Sequence, residues 1–371
     1  MSHFRVAVGR VLVTGAAGNV GRYVVRELAS RGYEVFATDV RSQIRGARRK
    51  LAFLPSGPRA GVEFYAADLT DEDAIASLLR DTSPQAIMHL AAIIPPHTYE
   101  NAERARRVNV DGTRNLVRAA ERMAAPPYFL QASSMAVYGA RNPHRHHGLL
   151  DADTSTCPTE LYGAQKLAAE QVVRSSSLEW SILRLGGVLT PDISLWGDAS
   201  LVAMEGCLPV DGRVHMVAVE DVAVAFERAI ASRPVGNLFL VGGDQTHCRY
   251  QHEVGHGIAA AMGLRDVLPP GRQGDPDQDR DWFITDWMDT SRSQQLLDYQ
   301  SRSFEDTLMQ IGRTLGWRRR LLEVSSPLAR RQLARSAPYR GWPAGYADPW
   351  SVIGDRWGWA LLEPERGSHA E

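Results

Sequence analysis

The chain has 371 residues, of which 44% are hydrophobic and 23% charged, and its formal net charge is −1. That length supports one large core or two domains, and so small a net charge offers no bulk field toward nucleic acid or an anionic membrane. Cys157, Cys207 and Cys248 are widely spaced with no CxxC pair, which argues against a disulfide framework or thiolate zinc site and for a reducing cytoplasm.

Residues 1–10 are too short and too polar for a signal peptide, and no later stretch is apolar for long enough to span a bilayer. Residues 11–14 form an apolar run ending at glycine, which predicts a buried parallel strand. Val20, Val24 and Leu28 then recur every four residues, predicting a helix from Asn19 to Ser30 that Arg31-Gly32 stops. Strands of the same style are expected at 34–39, 62–66, 86–90, 128–132, 182–185 and 237–241. The chief helices between them are expected at 71–79, 100–123 and 161–173. Alternation of this kind implies right-handed crossovers and an α/β, Rossmann-type, doubly wound parallel sheet. Ligands bind such sheets at the carboxyl ends of the strands, where the strand order reverses. Three stretches interrupt the pattern: a basic connection at 41–58, a polar loop at 271–280, and a tail holding Trp342, Trp350, Trp357 and Trp359. The expected organisation is a dinucleotide-binding domain at 1–185, to which 214–245 returns. A small substrate lobe follows from 186–213 and 246–316, and 317–371 is a C-terminal extension.

The turn Thr14-Gly15-Ala16-Ala17-Gly18-Asn19-Val20-Gly21 joins the first strand to the first helix. Gly15 permits the tight turn, Gly18 lets the backbone approach a pyrophosphate, and Gly21 lets helix and strand pack closely. The helix N-terminus, entered at Asn19 and Val20, presents free N–H groups to phosphate. Asp39 ends the second strand, where a carboxylate accepts hydrogen bonds from the adenosine ribose and repels a 2′-phosphate, favouring NAD over NADP. Arg41 and Arg45 stand behind it, either offsetting that repulsion or as solvated loop charges.

From Val11 to about Gly316 the chain resembles the extended short-chain dehydrogenases, the NAD-dependent epimerase/dehydratase family. The resemblance rests on the glycine loop and a series of ordered segments: Ala67-Asp68-Leu69, His89-Leu90-Ala91-Ala92, Asn109-Val110-Asp111-Gly112-Thr113, residues 133–139, and Tyr162-Gly163-Ala164-Gln165-Lys166. Leu183-Arg184-Leu185 and Val219-Glu220-Asp221-Val222 extend it. It implies that Asp68 and Leu69 meet the adenine and that Leu90, Ala91 and Ala92 lie beside the cofactor. It also implies that Lys166 holds the nicotinamide ribose, Ser134 bonds the substrate oxygen, and Tyr162 transfers its proton as hydride passes to or from NAD. Asn109 either completes a proton relay beside the cofactor or satisfies buried backbone. Tyr162 and Lys166, four apart, share one helix face, and a neighbouring ammonium lowers a phenol pKa that ordinarily lies near ~10. The resemblance further implies a homodimer through a four-helix contact made by 100–123 and 161–174.

Two departures bear on the substrate. Where the family's 4,6-dehydratases have an Asp-Glu pair after the serine, Met135 and Ala136 stand here, so no acid protonates a leaving hydroxyl. Where sugar-nucleotide enzymes have an asparagine near the diphosphate, Gly187 stands. Met135 and Gly187 are therefore expected to border the substrate. The segment 190–213 is short and carries Ile193, Leu195, Trp196, Leu201, Val202, Met204 and Leu208 with few cations. A small or apolar, non-nucleotide substrate is expected, or else these residues simply pack a shrunken lobe. The leading expectation is a soluble NAD-dependent dehydrogenase or ketoreductase. A nucleotide-sugar epimerase with retained NAD and a non-catalytic NAD-binding regulator are the alternatives.

Weaker signals carry less. His252-Glu253-Val254-Gly255-His256 spells HExxH but lacks a third ligand at a familiar spacing, so no metal is expected. His144, His146 and His147 read as exposed loop histidines, or as residues lining a substrate mouth or binding metal. Arg318-Arg319-Arg320 and Arg330-Arg331 read as solvated helix faces. The tryptophan-rich tail closes over the active site, buries a dimer interface, or wraps the first domain.

Overall fold

Ten strands appear in the computed structural model, which describes residues 9–44, 61–192 and 199–362. They are β1 (Arg10–Thr14), β2 (Glu34–Asp39), β3 (Val62–Ala66), β4 (Ala86–His89), β5 (Tyr128–Ser134), β6 (Trp180–Leu185), β7 (Gly187–Leu189), β8 (Arg213–Ala218), β9 (Asn237–Val241) and β10 (Cys248–Tyr250). Seven build one sheet in the order β3-β2-β1-β4-β5-β6-β9, with every pairing parallel. This is the Rossmann-type sheet the alternation predicts, and its order reverses between β1 and β4. Side chains alternate across it as a strand requires. Val11 and Val13 join Val24, Leu28, Leu130 and Phe226 on one face, while Leu12 joins Ile75, Leu79, Ile87, Leu116 and Phe129 on the other.

The helices covering the sheet are α1 (Asn19–Ser30), α2 (Glu72–Thr82), the short α3 (His97–Glu100) and α4 (Ala102–Arg106), α5 (Gly112–Glu121), α6 (Leu161–Arg174) and, after α7 (Ala199–Glu205), α8 (Val219–Ser232). The helix expected over 100–123 runs from 102 to 121, with α4 and α5 joined through a π turn at Arg107–Asp111 and the short α3 ahead of it as a separate piece. A π turn widens the helix by one residue and swings one side chain out of register. Here it buries Asn109.

The small lobe holds a second sheet, β10-β8-β7, backed by α9 (Gln251–Ala261) and α11 (Phe304–Leu315), with the short α10 (Ser291–Leu297) between them in sequence. Leu189, Val214, Met216, Val254, Ile258, Phe304 and Ile311 form its core. Within 214–245 a late strand and a helix were expected to return to the first domain. They do so as α8, packed on α1, and β9, which rejoins the large sheet, while β8 pairs with β7 and β10. Residues 271–280 are largely loop, as their polar composition predicts.

In the extension, α12 (Arg318–Arg335) buries no residue, so its arginines are solvated. α13 (Pro349–Trp357) instead docks Trp350, Val352 and Ile353 into a cluster with Tyr99, Met204, Cys207, Leu208 and Ile284. No helix among the described residues is long and apolar enough to cross a membrane. Arg45, Arg48, Arg49 and Lys50 of the basic connection, and Ile193, Leu195 and Trp196, lie outside the described residues.

Candidate active site

The glycine turn sits at the strand-order reversal. Gly15 has φ +68°, a left-handed conformation that disfavours any Cβ, and a Cβ there would lie 2.6 Å from the Ala91 nitrogen at the end of β4. At Gly21 a Cβ would run into the Gly15 carbonyl and the Ala16 Cα, so only glycine lets α1 start this close to β1. Gly18 is the N-cap of α1, which has no side-chain cap and no acid in its first turn. Its leading N–H groups therefore remain available to an anion. Asn19 and Val20 begin that turn, and Arg22 in it reaches Asn19 and Asp192. Asp39 holds the turn from the other side, accepting from Ala17 N at 3.0 Å and Val40 N at 2.8 Å. Burial pushes its carboxyl up against the pull of those two bonds. A cradle that a Cβ would fill, an uncapped helix start and an acid beside them fit the pyrophosphate and ribose of NAD.

Other segments expected around the cofactor have internal roles. Asp68 accepts from Thr70 N and Oγ1, and Leu69 is buried against Gly112 while its carbonyl accepts from Asn115. Leu90, Ala91 and Ala92 follow β4 and leave its carboxyl end; Ala91 N donates to Thr14 Oγ1. His89 bridges Thr14 and Thr113, and its burial pushes the imidazole down to about 3, so it is neutral. Asn109 spends its whole amide: Oδ1 accepts from Ile93 N at 2.7 Å, while Nδ2 donates to Ile93 O and Gln165 Oε1. Asn109 thus fixes the loop after β4, the backbone-satisfying role that was one of its two expected alternatives.

Ser134 ends β5, and Tyr162 and Lys166 lie on α6. Ser134 Oγ accepts from Ala136 N at 3.2 Å, and Ser134 is the neighbour whose influence favours the Tyr162 phenolate. Lys166 is buried, its Nζ donating to Ala132 O at 3.1 Å and lying 5.8 Å from the Tyr162 ring centroid. α6 reaches β5 because Gly163 packs on the Ala136 carbonyl, where a Cβ would overlap. Behind it, Glu170 takes both Arg184 Nε and Nη2 and accepts from Ser133 Oγ, tying α6, β5 and β6 together.

The electrostatics correct one expectation. Burial pushes the Tyr162 phenol well above its ordinary value, the Glu160 carboxylate adds to this, and Ser134 opposes it. Burial likewise pushes Lys166 down to about 8, against the pull of Glu170. In the protein alone desolvation prevails, and Lys166 is not among the groups that move the phenol. The resulting group is a neutral phenol beside a hydroxyl and an amine, suited to holding and passing one proton at its oxygen.

Two residues expected to border the substrate pack against neighbouring side chains. Met135 is buried in a cluster with Val137, Leu150, Leu240 and Met288, so it packs the core. Gly187 begins β7, and a Cβ there would sit 2.6 Å from Met216 Sδ; its bareness serves strand packing. His144 and His147 are exposed and His146 is half-buried, while His252 and His256, on α9, have Nδ1 against the Val210 and His252 carbonyls.

Glu160 and the tail are what sequence reasoning missed. Glu160 is the N-cap of α6 and is fully buried, accepting from Tyr162 N, Gly163 N and Tyr99 OH. An acid two residues ahead of a helical Tyr-x-x-x-Lys is a cap signal that was open to view. From the tail, Ala360 O accepts from Leu161 N and Leu362 N donates to Thr159 O, flanking Glu160.

Residues 11–195 match the family model described as the NAD dependent epimerase/dehydratase family. The chain is 32% identical over 283 residues to dTDP-L-rhamnose 4-epimerase of Burkholderia thailandensis, covering 64% of this chain and 77% of that one. Over 204 residues it is 31% identical to 3 beta-hydroxysteroid dehydrogenase/Delta 5-->4-isomerase of Mycobacterium tuberculosis, covering 52% of this chain and 48% of that one. Its fold matches the NAD complex of Thermus thermophilus UDP-glucose 4-epimerase with TM-score 0.65 at 24% identity, over 83% of this chain and 99% of that one.

Proposed function

The chain belongs to the NAD-dependent epimerase/dehydratase family, an extended short-chain dehydrogenase/reductase, and from that premise we propose that it interconverts a secondary alcohol and a ketone on a small or apolar, non-nucleotide substrate. NAD, when bound, supplies the hydride acceptor. Tyr162 passes the proton at the substrate oxygen, Ser134 bonds that oxygen, and Lys166 orients the ribose and supports the phenol. The glycine turn with Asn19 and Val20, Asp39, Asp68, Leu69 and residues 90–92 line the cofactor. Three cysteines without a disulfide among the described residues fit a cytoplasmic setting, and the paired α5 and α6 fit a homodimer.

The apolar cluster around Tyr162 carries the substrate assignment. Met204 and Leu208 from the lobe, Phe283 and Ile284 from the following loop, and Trp350 and Ile353 from the tail belong to the cluster against which Tyr162 packs. Burying a diphosphate among such residues is costly unless cations meet it. The arginines bordering this segment are already engaged: Arg141 with Asp286 at 3.0 Å, and Arg213 with Asp286, the His146 carbonyl and the Trp287 ring.

The likeness to dTDP-L-rhamnose 4-epimerase supports a second reading, an epimerase that keeps its NAD. Purified protein separates the two. Release of NADH on mixing with NAD and a 3β-hydroxysteroid or D-erythronate is the expected result. Co-purified NAD, no net NADH and turnover of UDP-glucose or dTDP-L-rhamnose overturns it in favour of the epimerase.

A further inference from the structure

Helix α12 has two opposite edges, each lined mainly by apolar side chains. One is turned to the molecule. Leu322, Ser326, Ala329 and Leu333 recur there at helical spacing and are half-buried, and Ser326 Oγ donates to the Gly263 carbonyl beyond the end of α9 at 3.4 Å. The other edge faces solvent. Trp317, which caps the helix, and Leu321, Val324 and Leu328 are 70%, 58%, 83% and 72% exposed. Steps of four, three and four hold them in one stripe, because a helix turns about 100° per residue. Single apolar side chains are ordinary on a surface, whereas four aligned on one bare helix edge mark a contact site. Charge decides what fits it. Arg320 and Arg331 follow one margin of the stripe, Arg318 the other, and Arg335 continues its line. With Arg319 and Arg330 they make six arginines against one acid, Glu323, on a chain whose net charge is −1. Among the described residues no ion pair engages these arginines. The cationic field is therefore local and does not show in the whole-chain sum.

We propose that α12 docks the protein on an anionic membrane surface, lying flat in the headgroup layer with Trp317, Leu321, Val324 and Leu328 turned inward. Such a surface meets both features of the helix: acyl chains take the indole and the aliphatic tips, and lipid phosphates take the guanidinium groups. A second copy of the chain fits worse. The stripe is about 16 Å long and one side chain wide, short of the ~1,000 Å² that a stable interface needs. Pairing would also bring two strongly cationic helices together. The proposal goes beyond the oxidoreductase reading and stands whichever chemistry the active site performs.

The test is co-sedimentation of the full chain with vesicles of equimolar phosphatidylglycerol and phosphatidylcholine, and with vesicles of phosphatidylcholine alone. At ~0.1 M salt the native chain is expected to partition about tenfold or more better onto the anionic vesicles, and to lose most of that preference at ~0.5 M. Replacing three arginines together, Arg318→Gln, Arg320→Gln and Arg331→Gln, should weaken binding to the anionic vesicles about 30-fold or more. Val324→Glu with Leu328→Glu, on the stripe, should weaken it about tenfold or more. Leu296→Ser, at an apolar side chain of α10 that is 53% exposed, should leave it unchanged. Brominated lipid in the anionic vesicles should quench native tryptophan emission, and Trp317→Phe, which alters neither charge nor core, should remove that quenching. Equal partitioning onto the two vesicles, no partitioning onto either, or full anionic binding by both multiple variants overturns the proposal. So does self-association without lipid, seen by sedimentation velocity and abolished by Val324→Glu with Leu328→Glu, which would assign the stripe to a second copy.

Discussion

Glu160 has no exposed surface, yet a phenol and two backbone N–H groups donate to its carboxylate. Burial wins over those three bonds and pushes the acid from 4.5 to about 7. Because the folded value is raised, the native chain holds a proton that the unfolded chain has lost between these two values. Stability from this group is full below about 4.5 and lost as pH rises through about 7. Denaturant unfolding at pH 5 and pH 8 should show the native chain losing up to ~3 kcal/mol relative to Glu160→Gln over that interval. A constant difference between the two chains would exclude the titration. At Tyr162 the expectation concerns rate: Tyr162→Phe should retain NADH binding by calorimetry and lose ~10²- to 10⁴-fold in turnover. The pair Ser134–Tyr162 and the buried Lys166 were legible as motif residues. The direction of the phenol's pKa was not, because desolvation depends on neighbours from β5, α3 and the tail that no local spacing reveals.

The seven strands of the large sheet and the glycine turn were legible almost residue by residue, since each element's pattern is local: a short apolar run, a turn, a four-residue period. Helix α6 was read for the same reason. The π turn inside the helix expected over 100–123 was not, because it answers a demand from another element. Asn109 must reach Ile93 and Gln165 at once, and only the widened turn aims it there. The second sheet, β10-β8-β7, was not read either, as strand pairing is chosen by which edge is free and not by the strand's own residues. Two element contacts give predictions. Gly21→Ala drives a methyl into the Gly15 carbonyl, and NADH affinity by calorimetry should fall about 100-fold or more, since a displaced turn loses most of its phosphate contacts. Gly163→Ala lifts α6 off the Ala136 carbonyl, moving Tyr162 away from Ser134 while leaving the glycine turn untouched. A misplacement of this size should cost turnover about 100-fold with NADH affinity little changed. Equal losses in both measurements would show that α6, through Lys166, carries as much of the cofactor's binding as the glycine turn does.

At the scale of the whole molecule the extension joins parts that the sequence keeps far apart. Arg272 donates to the Trp342 and Pro343 carbonyls, Ala347 N to Gln273 O, and Arg280 to Leu362 O, so the tail is sewn to the loop after the small lobe. Its other end pairs with residues 159–161 of the large domain. Its tryptophans were visible, but the surface on which Trp342, Trp350 and Trp357 pack comes from segments near 99, 136, 204 and 284, and no window of sequence holds more than one of these. Ile353 is fully buried at the centre of this joint and makes no polar contact there. Removing its outer carbons leaves a cavity between tail, lobe and catalytic helix, and Ile353→Ala should cost about 2–5 kcal/mol. The glycine turn shares no residue with this cluster, so the loss should appear in denaturant unfolding and not in NADH affinity. If the tail were merely laid on the surface, the chain would absorb the change with less than ~1 kcal/mol, and the clamp between the two sheets would not exist.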